Sequence, residues 1–163
     1  MNVTRVVWQR HAPEPIRSLD TLADPSYTDL FTAPMTGAQN KSAEEWARLI
    51  LEGGPAPLRL LIFVVQRFVL GLRVELRRSP DLVLGWKIGA SSDDYIRMET
   101  GSWLMTPHLI LKVDEDQISV ATLIRYDHPI AARVWPPVSL LHRRVGIALL
   151  GHTLKAQQQA WRS

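Results

Sequence analysis

Four polar side chains in this sequence could hold or move a proton if they face an apolar interior. Thr122 and Tyr126 lie in a segment of alternating polarity, and His142 and His152 lie in the apolar run near the C-terminus. A histidine removed from water can transfer a proton near neutral pH, and a tyrosine can orient a carbonyl group. His142 and Tyr126 are therefore candidate catalytic residues. The alternative is structural, since a histidine at the edge of a helix face is more often a hydrogen-bonded part of the core.

Metal, nucleotide and nucleophile sites receive no support from the residue spacing. The histidines show neither HxxxH nor HExxH spacing, and His142 and His152 would lie about 15 Å apart along a helix. The absence of cysteine excludes disulfides, thiolate metal sites and iron–sulfur clusters. The motifs GxGxxG, GxxxxGK and GxSxG are also absent. We predict neither a metal nor a cofactor.

Length and charge indicate one ordinary domain. The chain has 163 residues and a net charge of +3, which is too small an excess to predict a nucleic-acid partner. The N-terminus lacks the pattern of a secretory signal, and a cysteine-free chain is compatible with a cytoplasmic protein. The apolar run Leu58–Arg73 is too short and too often interrupted to span a bilayer, so we expect a largely buried helix and no integral membrane association. A helix lying at a membrane interface is the alternative.

The first half of the chain predicts a short strand followed by a helix pair. Residues 1–25 are rich in turn-forming types and should be partly irregular, and residues 27–34 read as a strand closed by Pro34. The helix pair should occupy residues 42–73. Ser42 and Glu45 have the spacing of a capping box, and Gly53-Gly54-Pro55 should end the first helix.

The hydrophobic period changes from helical to alternating at residue 82, which predicts antiparallel strands over residues 82–128. The last hairpin should pair Val113 with Ile118, Leu111 with Val120, Leu109 with Thr122 and Met105 with Tyr126. Its inner face would then carry Trp103, Met105, Leu109, Leu111, Ile118, Val120, Thr122, Ile124 and Tyr126. Its outer face would be half-wetted, with polar residues among Leu104, Ile110 and Leu123.

The C-terminal segment predicts a helix over residues 136–160. Pro136 and Pro137 suit the first turn of a helix, because the backbone N–H groups of that turn form no hydrogen bond within the helix and proline has no N–H group. At 100° per residue, one apolar stripe collects Val138, Leu141, Val145, Ala148, Leu149, His152 and Ala156, with His142 at its edge.

This order of elements predicts an α+β protein that resembles the helix-grip fold of the START and Bet v 1-like (polyketide cyclase-like) superfamily. In that fold a curved antiparallel sheet wraps around a long C-terminal helix. More narrowly, residues 26–155 resemble an uncharacterised bacterial family, a domain of unknown function. The residues that carry this resemblance are the SAEEWARLI helix together with Thr122, Arg125, Tyr126, Trp135, Pro137, His142 and Arg143.

The resemblance implies a cavity between the sheet and the last helix, filled by a hydrophobic small molecule or lipid. We expect its lining to include Trp86, Met98, Trp103, Met105, Leu109, Thr122, Ile124, Tyr126, His142, Val145, Leu149 and His152. A cofactor-free enzyme of the cyclase or isomerase kind is the second hypothesis, with His142 and Tyr126 as acid–base groups. The third is a non-catalytic homodimer, paired through the apolar residues of the outer sheet face.

Overall fold

The computed structural model describes residues 5–163, within which the chain forms a seven-stranded antiparallel sheet. The strands are β1 Val7–Gln9, β2 Tyr27–Pro34, β3 Leu82–Val83, β4 Trp86–Ser91, β5 Tyr95–Glu99, β6 Met105–Val113 and β7 Gln117–Tyr126, in the spatial order β1-β2-β7-β6-β5-β4-β3. The helices are α1 Glu14–Arg17, α2 Ala43–Leu51, α3 Ala56–Val64 and α4 Ala131–Arg162. The predicted α+β class is confirmed, with a helix pair between β2 and β3 and a long C-terminal helix, as in helix-grip folds.

The register of the last hairpin is also as predicted. The structure pairs Val113 with Ile118, Leu111 with Val120, Leu109 with Thr122 and Met105 with Tyr126. Because side chains alternate across a strand, this register alone assigns every residue of β6 and β7 to one face of the sheet. The inner face meets α2 on the β3–β6 side and α4 on the β1–β2 side.

Helix α2 begins and packs as its sequence indicates. The Ser42 hydroxyl accepts from the Glu45 backbone N–H at 3.2 Å, and the Glu45 carboxylate accepts from the Ser42 N–H at 2.7 Å. This capping box satisfies two backbone donors that a helix start leaves free. Trp46 and Ile50 then lie on the face of α2 that is buried against the sheet.

The expectation of a largely buried second helix is wrong. None of the residues of α3 is buried, and Leu60 is 63% exposed. The helix continues into a π-helical turn, Val65–Val69, where Phe68 is 73% exposed. An apolar composition predicts burial, but α2 and α4 already cover the inner face of the sheet, so α3 packs at its margin.

Helix α4 begins five residues earlier than predicted, at Ala131 instead of Pro136, so both prolines lie inside it. Two buried side chains in its first turns, Ala131 and Trp135, hold this start against the core. Trp135 makes an edge-to-face contact with Tyr27, with 5.3 Å between ring centroids. Tertiary packing therefore outweighs the local preference of proline for the first turn of a helix.

The buried stripe of α4 also departs from the prediction towards its C-terminus. Leu149 is buried as expected, whereas Ala148 and His152 are exposed. Leu150, Thr153 and Leu154 are buried instead. The C-terminal part of α4 packs against α2 instead of the sheet. The stripe of α4 that contacts α2 is therefore offset by about one residue from the stripe that contacts the sheet.

The outer face of the sheet is covered by the N-terminal segment. Strand β1 and helix α1 lie within the stretch expected to be partly irregular, and Ala12 and Ile16 pack with Leu30, Ile110, Ala121 and Leu123 in a second apolar cluster. His108, expected on a half-wetted face, is 6% exposed, and its Nδ1 lies 2.6 Å from the Asp20 carboxylate.

The apolar residues proposed to pair two chains are therefore buried within one chain. Leu104, Ile110 and Leu123 are each no more than 2% exposed. The N-terminal segment covers Ile110 and Leu123, and Leu104 packs in the main core, so the outer face does not present the exposed apolar surface that we expected to pair two chains.

Among residues 5–163, no single helix has the length and hydrophobicity required to cross a bilayer. The length and hydrophobicity required are reached only when α2 is combined with α3 and its π-helical turn. These two segments meet at a bend of 93°.

Replacing Ile16 by alanine should lower the free energy of unfolding by about 2 kcal/mol, because it removes a buried side chain from the cover of the outer face. Urea unfolding followed by circular dichroism measures the change. Val7→Ala is the matched control at a residue that is 53% exposed, and it should change stability by less than about 0.5 kcal/mol. Equal losses in the two variants would contradict the buried cover.

Candidate ligand cavity

A cavity of about 130 Å³ lies between the inner face of the sheet, helices α2 and α3, and helix α4. Its wall is almost entirely aliphatic and aromatic. The polar side chains that reach it are Gln66, Thr122 and His142. An apolar space with a few convergent polar groups is the usual form of a small-molecule site.

Many of the predicted lining residues meet at this cavity. They are Trp86, Met105, Leu109, Thr122, Ile124, His142, Val145 and Leu149. Trp86 is held in place by its indole N–H, which donates to the Gln66 side-chain oxygen at 3.3 Å. Strand alternation places the residues of β6 and β7 there, and the helical period places those of α4.

Four other predicted residues lie elsewhere. Met98 belongs to β5 and its side chain is fully buried in the packed core. Trp103 lies in the turn before β6, where it is 65% exposed. Tyr126 is half-buried at the end of β7, and burial raises the pKa of its hydroxyl. His152 points to solvent. The structure therefore does not bring Tyr126 and His142 together as an acid–base pair within the cavity.

Strand β2 supplies the partner of His142 instead. Tyr27, Asp29 and Phe31 are two residues apart, so they share the inner face, and Asp29 lies directly opposite Thr122 of β7. Asp29 is completely buried. A carboxylate at such a position is costly unless hydrogen bonds satisfy it, so its neighbours determine whether it is tolerated.

Three side chains approach the same oxygen of Asp29. Its Oδ2 accepts from the Tyr27 hydroxyl at 2.7 Å and from the Trp8 indole N–H at 3.2 Å, and lies 3.1 Å from the His142 Nε2. The same Nε2 is 3.0 Å from the Thr122 hydroxyl. Together β1, β2, β7 and α4 each contribute one or more members of this Asp29 cluster.

These contacts shift the pKa values of Asp29 and Tyr27 in opposite directions. Burial alone would raise the pKa of Asp29, but hydrogen bonds from His142, Tyr27 and Thr122 and the charge of His142 outweigh it and hold that pKa below its ordinary value. Burial and the adjacent carboxylate raise the pKa of Tyr27 well above its usual range. Asp29 is therefore the ionised acceptor, and Tyr27 remains a neutral donor.

The Asp29 cluster can orient His142 for proton transfer. When Nε2–H of a neutral imidazole donates to the carboxylate, the lone pair resides on Nδ1, which is then the basic nitrogen. His142 is fixed between two rings, with its centroid 5.5 Å from that of Phe31 and 5.4 Å from that of Trp135.

Two arginines close the cluster on the side away from the cavity. The Arg143 guanidinium lies 3.6 Å from the centroid of the Trp8 ring, and the Arg10 guanidinium lies 4.1 Å from that of Tyr27. Cation–π contacts of this kind hold both rings against Asp29. Among residues 5–163, no group of three histidine, aspartate or glutamate side chains is arranged to hold a metal ion.

Three buried polar atoms near His142 have no hydrogen-bond partner among the described residues. They are the indole nitrogen of Trp135, Oδ1 of Asp29 and Nε of Arg143. All three are closed off by the packing around them, so none is exposed to the space of the cavity. The cavity has a polar end formed by Thr122 and His142.

Gly146 determines how closely α4 approaches β2. A Cβ atom at this position would lie 2.5 Å from the ring of Phe31, well inside van der Waals contact. Glycine is required here by close approach and not by backbone conformation. The ring of Phe31 thus fills the space where other helix positions carry side chains.

Sequence reasoning missed Asp29, Tyr27 and Trp8. A usable signal was present in the strand YTDLFTA, where an acid occupies the same alternating face as Tyr27 and Phe31. An acid at an inward-facing position of an apolar strand is a buried polar group that needs partners. Its partners on β1 and α4 are distant in sequence, so the pattern alone identifies the anomaly but not the cluster.

Replacing Asp29 by asparagine should lower the free energy of unfolding at pH 7 by about 3 kcal/mol, because Tyr27, Trp8 and His142 lose a charged acceptor. The folded pKa of Asp29 lies below the unfolded value of about 3.9, so its carboxylate stabilises the fold above that pH and the contribution is lost as the pH falls. The gap between wild type and Asp29→Asn should therefore begin to narrow below about pH 5 and should continue to narrow as the pH falls below about 3.9.

Urea unfolding at a series of pH values measures both effects. Asp81→Asn, at an exposed position, is the matched control and should leave the stability curve unchanged within about 0.5 kcal/mol. Parallel curves for wild type and Asp29→Asn over the acid range would show that the carboxylate is not stabilised by its neighbours.

Comparison with protein-family models, curated proteins and solved structures finds no match for this chain. The description as a helix-grip architecture rests on the element order and strand register given above. The resemblance to the START and Bet v 1-like superfamily stays a prediction.

Proposed function

We propose that this protein binds an apolar or aromatic small molecule, or the chain of a lipid, in the cavity between its sheet and α4. The observation that carries the proposal is an apolar wall with one polar end at Thr122 and His142. A cavity lined by aliphatic and aromatic side chains favours apolar ligands. Membership of the START and Bet v 1-like superfamily and a cytoplasmic location are part of the same proposal.

The polar end narrows the chemistry of the ligand. Thr122 offers a hydroxyl group and His142 an imidazole ring, and both can form hydrogen bonds with a polar group of the ligand. A ring compound or chain that carries one hydroxyl or carbonyl group would satisfy these atoms while its apolar part fills the cavity. A ligand with several charges would not, since the rest of the wall offers them no partner.

Replacing Val145 by phenylalanine should fill the cavity and weaken the binding of 2-naphthol at least about tenfold. The fluorescence of Trp86 and Trp135, which both line the cavity, reports the binding. Native mass spectrometry of the purified protein should show a retained small molecule in the wild type and less of it in Val145→Phe.

Ala148→Phe is the matched control, because it adds the same ring to an exposed position of the same helix. It should bind 2-naphthol as the wild type does. If both variants bind equally well, or if the wild type neither binds the probe nor retains a molecule, the proposal is wrong.

A second candidate function, a cofactor-free enzyme of the cyclase or isomerase kind, is favoured by the pairing of His142 with Asp29. A histidine oriented by a carboxylate beside an apolar space is a suitable general base. The reaction would begin with Nδ1 of His142 removing a proton next to a carbonyl group.

His142→Gln should reduce proton exchange next to the carbonyl of cyclohexanone in D₂O by about 100-fold, because glutamine has no basic nitrogen. Proton NMR measures this exchange. His152→Gln removes an exposed histidine from the same helix and should have no effect. Wild-type exchange no faster than that in buffer would exclude this chemistry and leave the binding function.

A further inference from the structure

Helix α3 and its π-helical turn expose an apolar patch that no other part of the described chain covers. The patch consists of Leu60, Leu61, Val64, Phe68 and Val69, which are 63%, 39%, 40%, 73% and 50% exposed. Single exposed apolar residues are ordinary, but a contiguous set on one element marks an interaction surface.

Trp103 extends this apolar patch. The indole of Trp103 adjoins the end of the π-helical turn, since a Cβ atom on Gly71 would lie 3.4 Å from its Nε1. Trp103 is 65% exposed. Large amphipathic rings are enriched where a protein meets the boundary between water and lipid.

The same helix lines the cavity with its other side. Ile62, Val65 and Gln66 face the interior, together with Leu61 at the margin. The exposed patch and the cavity wall are thus two sides of one short element, so the patch lies next to the cavity.

The surroundings of the apolar patch are strongly basic. Residues 55–80 contain five arginines, Arg59, Arg67, Arg73, Arg77 and Arg78, against one acid, Glu75. Glu75 is engaged by Arg77 at 2.6 Å, and the Arg67 guanidinium lies 5.9 Å from the Phe68 ring centroid. Arginines beside exposed apolar groups suit a surface that is both apolar and negatively charged.

These features distinguish a membrane from a second copy of the chain. A symmetric dimer through the apolar patch would bring the arginines of both copies together, which is unfavourable. An anionic bilayer accepts apolar side chains into its interface and attracts the arginines with its headgroups.

We propose that α3 and the π-helical turn dock this protein onto an anionic membrane surface, with Phe68 and Leu60 in the interface and the nearby arginines against the headgroups. The docking places the wall of the cavity at the lipid surface. It does not depend on what the cavity holds, so it goes beyond the proposed binding function.

Sedimentation with phosphatidylcholine vesicles that contain or lack phosphatidylserine tests the proposal. The full chain should sediment with the vesicles that contain phosphatidylserine and should be released at high salt. Phe68→Glu should reduce the bound fraction about tenfold, because it replaces the inserted ring with a repelled charge. Leu140→Glu, at an exposed apolar position of α4, is the matched control and should bind as the wild type does.

A second pair of variants tests the arginines separately. Arg67→Gln with Arg73→Gln should weaken binding to phosphatidylserine vesicles about tenfold and reduce its salt dependence. Arg17→Gln with Arg133→Gln removes the same charge from exposed positions outside the patch and should have little effect. The four arginines are exposed, so the thermal unfolding of both double variants should match that of the wild type.

Three outcomes would overturn the proposal. The first is that the wild type fails to sediment with phosphatidylserine vesicles. The second is that the Phe68 and Leu140 variants bind equally well. The third is that light scattering shows a dimer of the wild type, without vesicles, that Phe68→Glu dissociates, because a second copy would then be the occupant of the patch.

Discussion

The site depends on one buried carboxylate. Asp29 brings together a tyrosine of its own strand, a tryptophan of the edge strand β1 and a histidine of α4, all through a single oxygen atom. Because an unpaired charge in this position would be strongly unfavourable, the cluster forms only when β1, β2 and α4 are all in place. Asp29 therefore links the first strand to the last helix and orients His142 at the same time.

The two faces of the sheet are covered by different means, and this explains why α3 is left outside. On the inner face α2 and α4 share the cover, with the cavity between them, whereas the N-terminal segment closes the outer face. The second helix of the pair then has little surface left to bury. It retains an apolar composition because one side lines the cavity and the other is free for a further contact.

The helix pair and the strands of the last hairpin could be predicted from the sequence, because their signals are local. The capping box at Ser42 and the register of the β6–β7 hairpin follow from spacing alone, and both are confirmed. The start of α4 could not be predicted, since Trp135 packs against Tyr27, a partner far away in the chain. The role of Asp29 could not be predicted for the same reason. The sequence shows an acidic residue in the strand, but Trp8 and His142 become its partners only through tertiary contacts.

The contact between Gly146 and Phe31 has a consequence for how such a pocket can vary in evolution. The helix rests on the face of an aromatic ring, so the gap between helix and sheet is set by the thickness of that ring. Any larger residue at the glycine would act as a spacer and lift the middle of α4 away from β2. The spacing between helix and sheet at this point is thus encoded at two positions, and it can be inherited unchanged while the side chains that line the pocket diverge.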